Sequence, residues 1–235
     1  MQDERYKGNK VRDETPFTKS KSDYQMYGFR LGGPIIKNKL FFFVNYETEK
    51  TTVPGPTRVA ATATSPADNK TIARPTETEM NTITSYLKEK YNYETGPYQN
   101  YSNETPAGKF LARVDWNINR NHKFNIRYSQ AKSKSVSPPS TSNNPVASIL
   151  TNFSTFYSGT RQDMNAMWYK NSGYFQETNF SSLASELSST FANGKFANML
   201  RYTYSYQDEP RSTSGSTFPF VDILKDGKPL ASFGT

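Results

Sequence analysis

The stretch YGFRLGGPIIKNKLFFFVNYE, residues 27–47, decides the fold class. Tyr27, Phe29 and Leu31 alternate with Gly28 and Arg30. After Pro34-Ile35-Ile36 and Lys37-Asn38, the residues Leu40, Phe42, Val44 and Tyr46 alternate with Phe41, Phe43, Asn45 and Glu47. A period of two marks a strand with one apolar and one polar face. If Lys37-Asn38 is a two-residue loop, Leu31 lies opposite Val44 and Phe29 opposite Tyr46. Arg30 then faces Asn45, with Glu47 on the diagonal. A one-residue slip would turn one strand over.

The rhythm returns twice. Phe110, Ala112, Val114, Trp116 and Ile118 oppose Leu111, Arg113, Asp115 and Asn117, and a turn at 119–122 leads to Phe124, Ile126 and Tyr128. Leu183, Leu187 and Phe191 precede Asn193-Gly194, a strong hairpin signal because a type I′ turn needs positive φ twice. Phe196, Leu200, Tyr202, Tyr204 and Tyr206 follow. This register sets Leu187 against Leu200, Phe191 against Phe196 and Glu186 against Arg201. The fold class is therefore all-β, an antiparallel meander of about six long strands in hairpins 24–49, 109–130 and 180–206.

Polar, Thr-, Pro-, Ser- and Asn-rich connections at 51–106 and 131–175 separate the hairpins. In the first, Thr76 and Glu79 form a capping-box pattern after Pro75, and Met80, Ile83, Leu87 and Tyr91 repeat at helical spacing, so a short helix is expected over 77–90. Met164, Ala166 and Trp168 hint at a short strand in the second. Residues 1–23 read as an extracellular-type loop. Residues 207–235 read as loop and truncated continuation, with a small turn at Asp226-Gly227.

Of 235 residues, 34% are hydrophobic and 14% aromatic, and the net charge is +8. Disordered chains are poor in aromatics. The longest apolar run, Leu40–Val44, is far short of the roughly 20 residues of a membrane-spanning helix. With no Cys and one His, thiol chemistry, Cys-based zinc and a His-based triad are disfavoured. No Walker motif, GxGxxG or EF-hand pattern appears. No cofactor and no enzymatic activity are expected.

Strands of about 11–13 residues exceed the globular average of 5–6 and suit a tilted membrane crossing. Tight turns at one end and long loops at the other are the layout of a transmembrane β-barrel. A soluble sandwich has neither feature as a rule. Six strands do not close a membrane barrel, whose smallest form has about eight, so the chain is expected to be part of a larger one. It is not expected to fold alone, because two long edges would stay unpaired.

The stretch 27–47 closely resembles a hallmark of TonB-dependent outer-membrane receptors. It is most similar to the Oar-like branch, whose members carry LGGPIIK-[DN]-KLFFF-x-x-YE early in the barrel. Phe110–Trp116 followed by His122–Ser129 resembles the next hairpin, Asn198–Ser205 a later strand, and Phe218–Ile223 a loop segment. The resemblance implies energy-coupled nutrient uptake across the outer membrane of a Gram-negative bacterium. The implied partners are outer-membrane lipid and lipopolysaccharide, the plug and remaining strands of the receptor, TonB reached through the plug, and a nutrient ligand. Against the family pattern, no signal peptide, plug, TonB box or C-terminal barrel strand is recognised here, so the activity belongs to a larger receptor. The connections 51–106 and 131–175 would be extracellular and the tight turns periplasmic.

On this reading Arg30, Glu47, Arg113, Asp115, Arg127, Glu186 and Arg201 are lumen-facing charges. Phe41 and Phe43, on the lumen side, are candidates for packing against a plug. Tyr202, Tyr204 and Tyr206 are candidates for an aromatic girdle, since rings with one polar end suit the membrane interface. Basic residues such as Arg5, Lys7, Lys10, Arg12, Lys19, Lys21, Lys132 and Lys134 fall in expected loops, and His122 in an exposed turn. The rival reading is a soluble all-β binding module for single-stranded nucleic acid or glycan. There, interleaved cations and aromatics such as Lys123-Phe124-Asn125-Ile126-Arg127-Tyr128 would stack and bind phosphate; on the barrel reading no specific nucleic acid is expected.

Overall fold

The structure is a computed structural model and describes residues 22–141 and 160–235. In chain order it forms β1 (Asp23–Ile36), β2 (Leu40–Pro54), β3 (Val59–Ala61), β4 (Ile72–Thr76), α1 (Glu77–Tyr91), β5 (Ser102–Asn117), β6 (His122–Ser137) and β7 (Met167–Trp168). Then follow β8 (Tyr174–Phe191), β9 (Phe196–Asp208), β10 (Arg211–Thr213), β11 (Val221–Lys225) and β12 (Lys228–Phe233). Most of the expected leading loop, and with it Arg5, Lys7, Lys10, Arg12, Lys19 and Lys21, lies outside the described residues.

Strands β1, β2, β5, β6, β8 and β9 pair antiparallel in chain order, the expected meander of six, and β10 adds to the edge of β8 beyond β9. They carry 13 to 18 residues each and outrun the expected hairpin limits. The extensions are rich in Thr and Ser, as in Thr51-Thr52 and Ser133, Ser135 and Ser137. Without an apolar side they leave no hydrophobic alternation. Lys132 and Lys134 thus lie in β6 rather than in a loop, and Lys134 pairs with Glu177 of β8 at 2.7 Å.

Pairing sorts the side chains into two faces. Leu31, Val44, Ala112, Tyr128, Leu183 and Tyr204 form one row across all six strands. Phe42, Val114, Ile126 and Tyr202 share the next row, and Leu40, Trp116, Phe124, Leu187 and Leu200 the one after. On the other side of the sheet Asn45, Leu111 and Ser129 alternate with these. Every buried apolar side chain among the described residues belongs to the connections and none to the six long strands. Among the described residues no second layer covers the sheet, which a soluble sandwich would require.

The tight turns fix the register. Leu31 pairs with Val44, Phe29 with Tyr46 and Arg30 with Asn45. The turn itself departs from the two-residue form. Ile36 pairs with Leu40, three residues stay in the loop, and the extra residue is taken up between Pro34 and Ile36. Pro34 has no N–H to give a ladder, which favours an irregularity there. Asn38 takes the left-handed position at φ 61°. At the third hairpin Leu187 faces Leu200, Phe191 faces Phe196 and Glu186 faces Arg201. Asn193 and Gly194 both have positive φ, at 54° and 90°. Between them, Asn119 Oδ1 accepts the N–H groups of Asn121 and His122 at 2.8 and 2.9 Å and closes the second turn. His122 opens β6, half-buried, with Nδ1 2.8 Å from Ser189 Oγ, and is not a free turn residue. The second hairpin overhangs the start of β2, with Asn117 N–H donating to Lys39 O, and the third overhangs β6, with Thr190 N–H donating to Asn121 O. A stagger in one direction is what barrel closure demands of a sheet.

At the opposite end the connection 55–101, the described residues 138–141 and 160–173 of the second connection, and 209–235 fold on one another into a cap. Residues 207–235 are therefore not loop: β11 and β12 form a hairpin on Asp226-Gly227, whose φ values are 55° and 69°, and β12 pairs parallel with β7. The Phe218–Ile223 segment accordingly enters strand β11. Ala60, Ala73, Met80, Leu87 and Tyr93 from the first connection meet Met167 and Tyr169 from the second and Ala231 and Phe233 from the third in one core. Helix α1 starts where the capping box requires. Glu79 N–H donates to Thr76 Oγ1 at 3.2 Å, and Thr76 N–H donates to Glu79 Oε2 at 2.9 Å. Met80 and Leu87 form its buried stripe. Burial pushes the Glu79 carboxyl up, but Lys225 and the Thr76 donors more than offset this and hold it below the usual range. Thr76→Ala is expected to destabilise the cap by about 1 kcal/mol; amide exchange along α1 should accelerate while exchange in the six-strand sheet stays unchanged.

Candidate functional site

Three features of the molecule can carry function: the polar face of the sheet, the clamps that order the cap, and a cavity where the two meet. By strand pairing Arg30, Glu47, Arg113, Asp115, Arg127, Glu186 and Arg201 all lie on the polar face. Arg113 grips Asp115 through Nε at 2.8 Å and Nη2 at 2.6 Å. Arg127 stands directly opposite Arg113. Like charges in that position repel, and Asp115 offsets them. Arg201 Nη2 donates to Glu186 Oε2 at 2.7 Å. Phe41 and Phe43 share this face, beside Pro34 and Gly32 of β1. A Cβ on Gly32 would come within 3.0 Å of the Phe43 ring, so the glycine makes room for it.

Tyr202, Tyr204 and Tyr206 lie on the apolar face and are 54–59% exposed. They follow one another along β9 and occupy three rows, whereas a girdle runs around a sheet; at most one of them sits at any one depth. Ring pairs that do run across strands are Phe29–Tyr46 at 6.0 Å and Phe110–Tyr128 at 6.2 Å.

Arginines lock the cap. Arg74 Nε donates to Asn165 O at 3.2 Å and its Nη2 to Pro229 O at 3.0 Å, so one side chain ties all three connections. Arg161, 7% exposed, holds Asp222 through Nε and Nη2 at 2.8 and 2.6 Å, and Asp222 also accepts Ser232 Oγ at 2.7 Å. Arg58 donates to the carbonyls of Gln162, Asp163 and Ala166 and lies 4.8 Å over the Trp168 ring. Burial lowers the guanidinium pKa of Arg58.

Below these clamps is a cavity of about 480 Å³ between the cap and the strand ends. Val53, Asn103, Ser137 and Tyr174 reach it from the polar face. Trp168 is set by the pairing of β7 with β12. Tyr101 abuts Gly55, where a Cβ would lie 2.7 Å from its ring, and burial pushes its hydroxyl up to about 12. Lys170 is fixed by its own N–H on Pro97 O at 2.8 Å and by Nζ on Ser102 O at 3.1 Å. Lys70 stands at the mouth on a loop pinned by Asp68, whose Oδ1 accepts the N–H groups of Lys70, Thr71 and Ile72 at 2.8–2.9 Å.

The sequence profile of a known family, described as an outer membrane beta barrel domain, matches residues 2–233. The chain belongs to that family. No curated protein and no solved structure matches it. An outer membrane beta barrel domain meets membrane lipid, and the uncovered apolar rows agree with that. No helix among the described residues is long and apolar enough to cross a membrane, and a barrel crosses with strands.

The same geometry removes the physical basis of the nucleic-acid form of the binding-module reading. Lys123, Asn125 and Arg127 lie on one side of the outer membrane barrel sheet, and Phe124, Ile126 and Tyr128 on the other. Cations and rings on opposite faces cannot grip one nucleic-acid strand. Sequence reasoning missed Arg58, Arg74, Arg161, Asp222 and the cavity residues. The available signal was apolar residues stranded in polar connections, such as Met80, Tyr93, Met167, Tyr169 and Phe233.

Proposed function

We propose that this chain is part of the barrel of an Oar-like TonB-dependent receptor, which takes up a nutrient with energy delivered through TonB. The observation that carries the reading is the stretch 27–47, whose resemblance to the receptor hallmark is specific. The apolar face is then the lipid face. The seven polar-face charges line the lumen, Phe41 and Phe43 lie where a plug would pack, and the cap is the extracellular part that meets ligand. No catalytic step is assigned. The described sheet leaves the outer edges of β1 and β9 without a partner strand. Unpaired backbone in hydrocarbon costs several kcal/mol per group, so the working barrel includes further strands and the activity is that of the whole receptor.

The test uses the intact receptor in detergent. It is expected to bind a purified periplasmic domain of TonB. Absence of binding, with the barrel still resistant to unfolding in detergent at room temperature, would leave a barrel without TonB coupling.

A further inference from the structure

We infer that the cavity between the cap and the strand ends binds a small organic anion that presents a flat ring or sugar face. This rests on the receptor reading only for the claim that such an anion is the transported ligand. The lining combines Tyr101, Trp168 and Tyr174 with Arg58, Lys70 and Lys170, and among the described residues contains no Asp or Glu. A neutral sugar site wants strong acceptors for hydroxyl groups, and carboxylates are the usual ones; here the charged groups are all donors. The nearest carboxylate along the loop, Asp68, is turned to backbone N–H groups.

The cations differ in what they can offer. Arg58 is committed to three carbonyls and to the Trp168 face, so it contributes positive field and rigidity. Lys170 spends one contact on Ser102 O and lies 5.8 Å from the Tyr101 ring centre. An ammonium has three donors, which leaves it capacity for a ligand carboxylate or phosphate. Lys70 is exposed at the mouth and acts as a second charge. A cleft lined by one sign of charge concentrates ions of the other. The volume of about 480 Å³ falls in the range of small-molecule sites. It has room for a disaccharide or an aryl carboxylate. Both sources share the chemistry, a carboxylate on a ring-bearing body.

The test measures binding to the intact receptor in detergent, with digalacturonate and indole-3-acetate as the two anions and maltose as the neutral control. At least one anion is expected to bind about tenfold or more tightly than maltose, and to weaken as salt is raised. The variant carrying Lys70→Gln and Lys170→Gln should lose about tenfold in that affinity, with its thermal melting unchanged. The anion that binds more tightly identifies the source. Equal binding of maltose, no binding of either anion, or an unaltered affinity in the double variant would each overturn the inference. TonB-domain binding is measured without ligand, so the receptor reading fails or stands separately.

Discussion

Arginine in place of Val44 is expected to destabilise the barrel by about 2–4 kcal/mol, whereas arginine in place of the adjacent Asn45 should cost no more than about 1 kcal/mol. The two residues are neighbours in β2 with opposite faces. Val44 lies in the row of Leu31, Ala112, Tyr128 and Leu183, with apolar rows on the side of the tight turns and the Phe29–Tyr46 pair on the other. A guanidinium there must stay in hydrocarbon or distort the bilayer. Asn45 pairs with Arg30 and donates from Nδ2 to Glu47 Oε1 at 3.2 Å. An arginine at 45 would face Arg30 and be repelled by it, with the Glu47 carboxylate within reach to offset this. Urea unfolding of the intact protein from lipid vesicles measures both variants. Equal tolerance would mean that the apolar rows do not face lipid.

Removing the Arg161 side chain with Arg161→Ala is expected to cost the cap about 3–5 kcal/mol, the cost of breaking a buried ion pair by deleting one partner. Arg161 is 7% exposed and the Asp222 side chain 16%. Ser232 Oγ would still donate to Asp222 at 2.7 Å. The same guanidinium donates from Nη1 to Ser140 O at 3.0 Å, so the change also unties the two described parts of the second connection from each other. The six-strand sheet takes no part in these bonds. Limited proteolysis of the intact receptor should cut within 209–235 and 55–101 in the variant and leave the strands whole. The companion variant Asp222→Asn keeps hydrogen bonding and should lose less. A variant cap as resistant as the parent would show that the pair does not hold the connections together.

The register of the sheet was legible in the chain because two independent signals agree at each turn. Alternation at 27–47 and 183–206 fixes which residues share a face, and Asn193-Gly194 fixes where the chain reverses. The seven charges could be assigned to one face for the same reason, since parity is a property of sequence once pairing is known. Where the signals thin, the reading fails by small amounts. Pro34 and Ile35 shifted the first turn by one residue, and Thr- and Ser-rich strand ends passed for loop. The tyrosines at 202, 204 and 206 show the limit of parity, which gives a face but not a depth.

The sequence alone determined the local order: six alternating strands and their faces, the registers of the first and third hairpins, a capped helix over 77–90, and the turn at Asp226-Gly227. Each rests on interactions between residues close in the chain or paired across a tight turn. Only the tertiary structure decided that the three long connections share one core and enclose a cavity. Arg58 meets Ala166, Arg74 meets Pro229, and Arg161 meets Asp222, across 61 to 155 positions. A contact over such distances leaves no period in either segment. The polar composition of the connections concealed the few apolar residues whose burial brings them together.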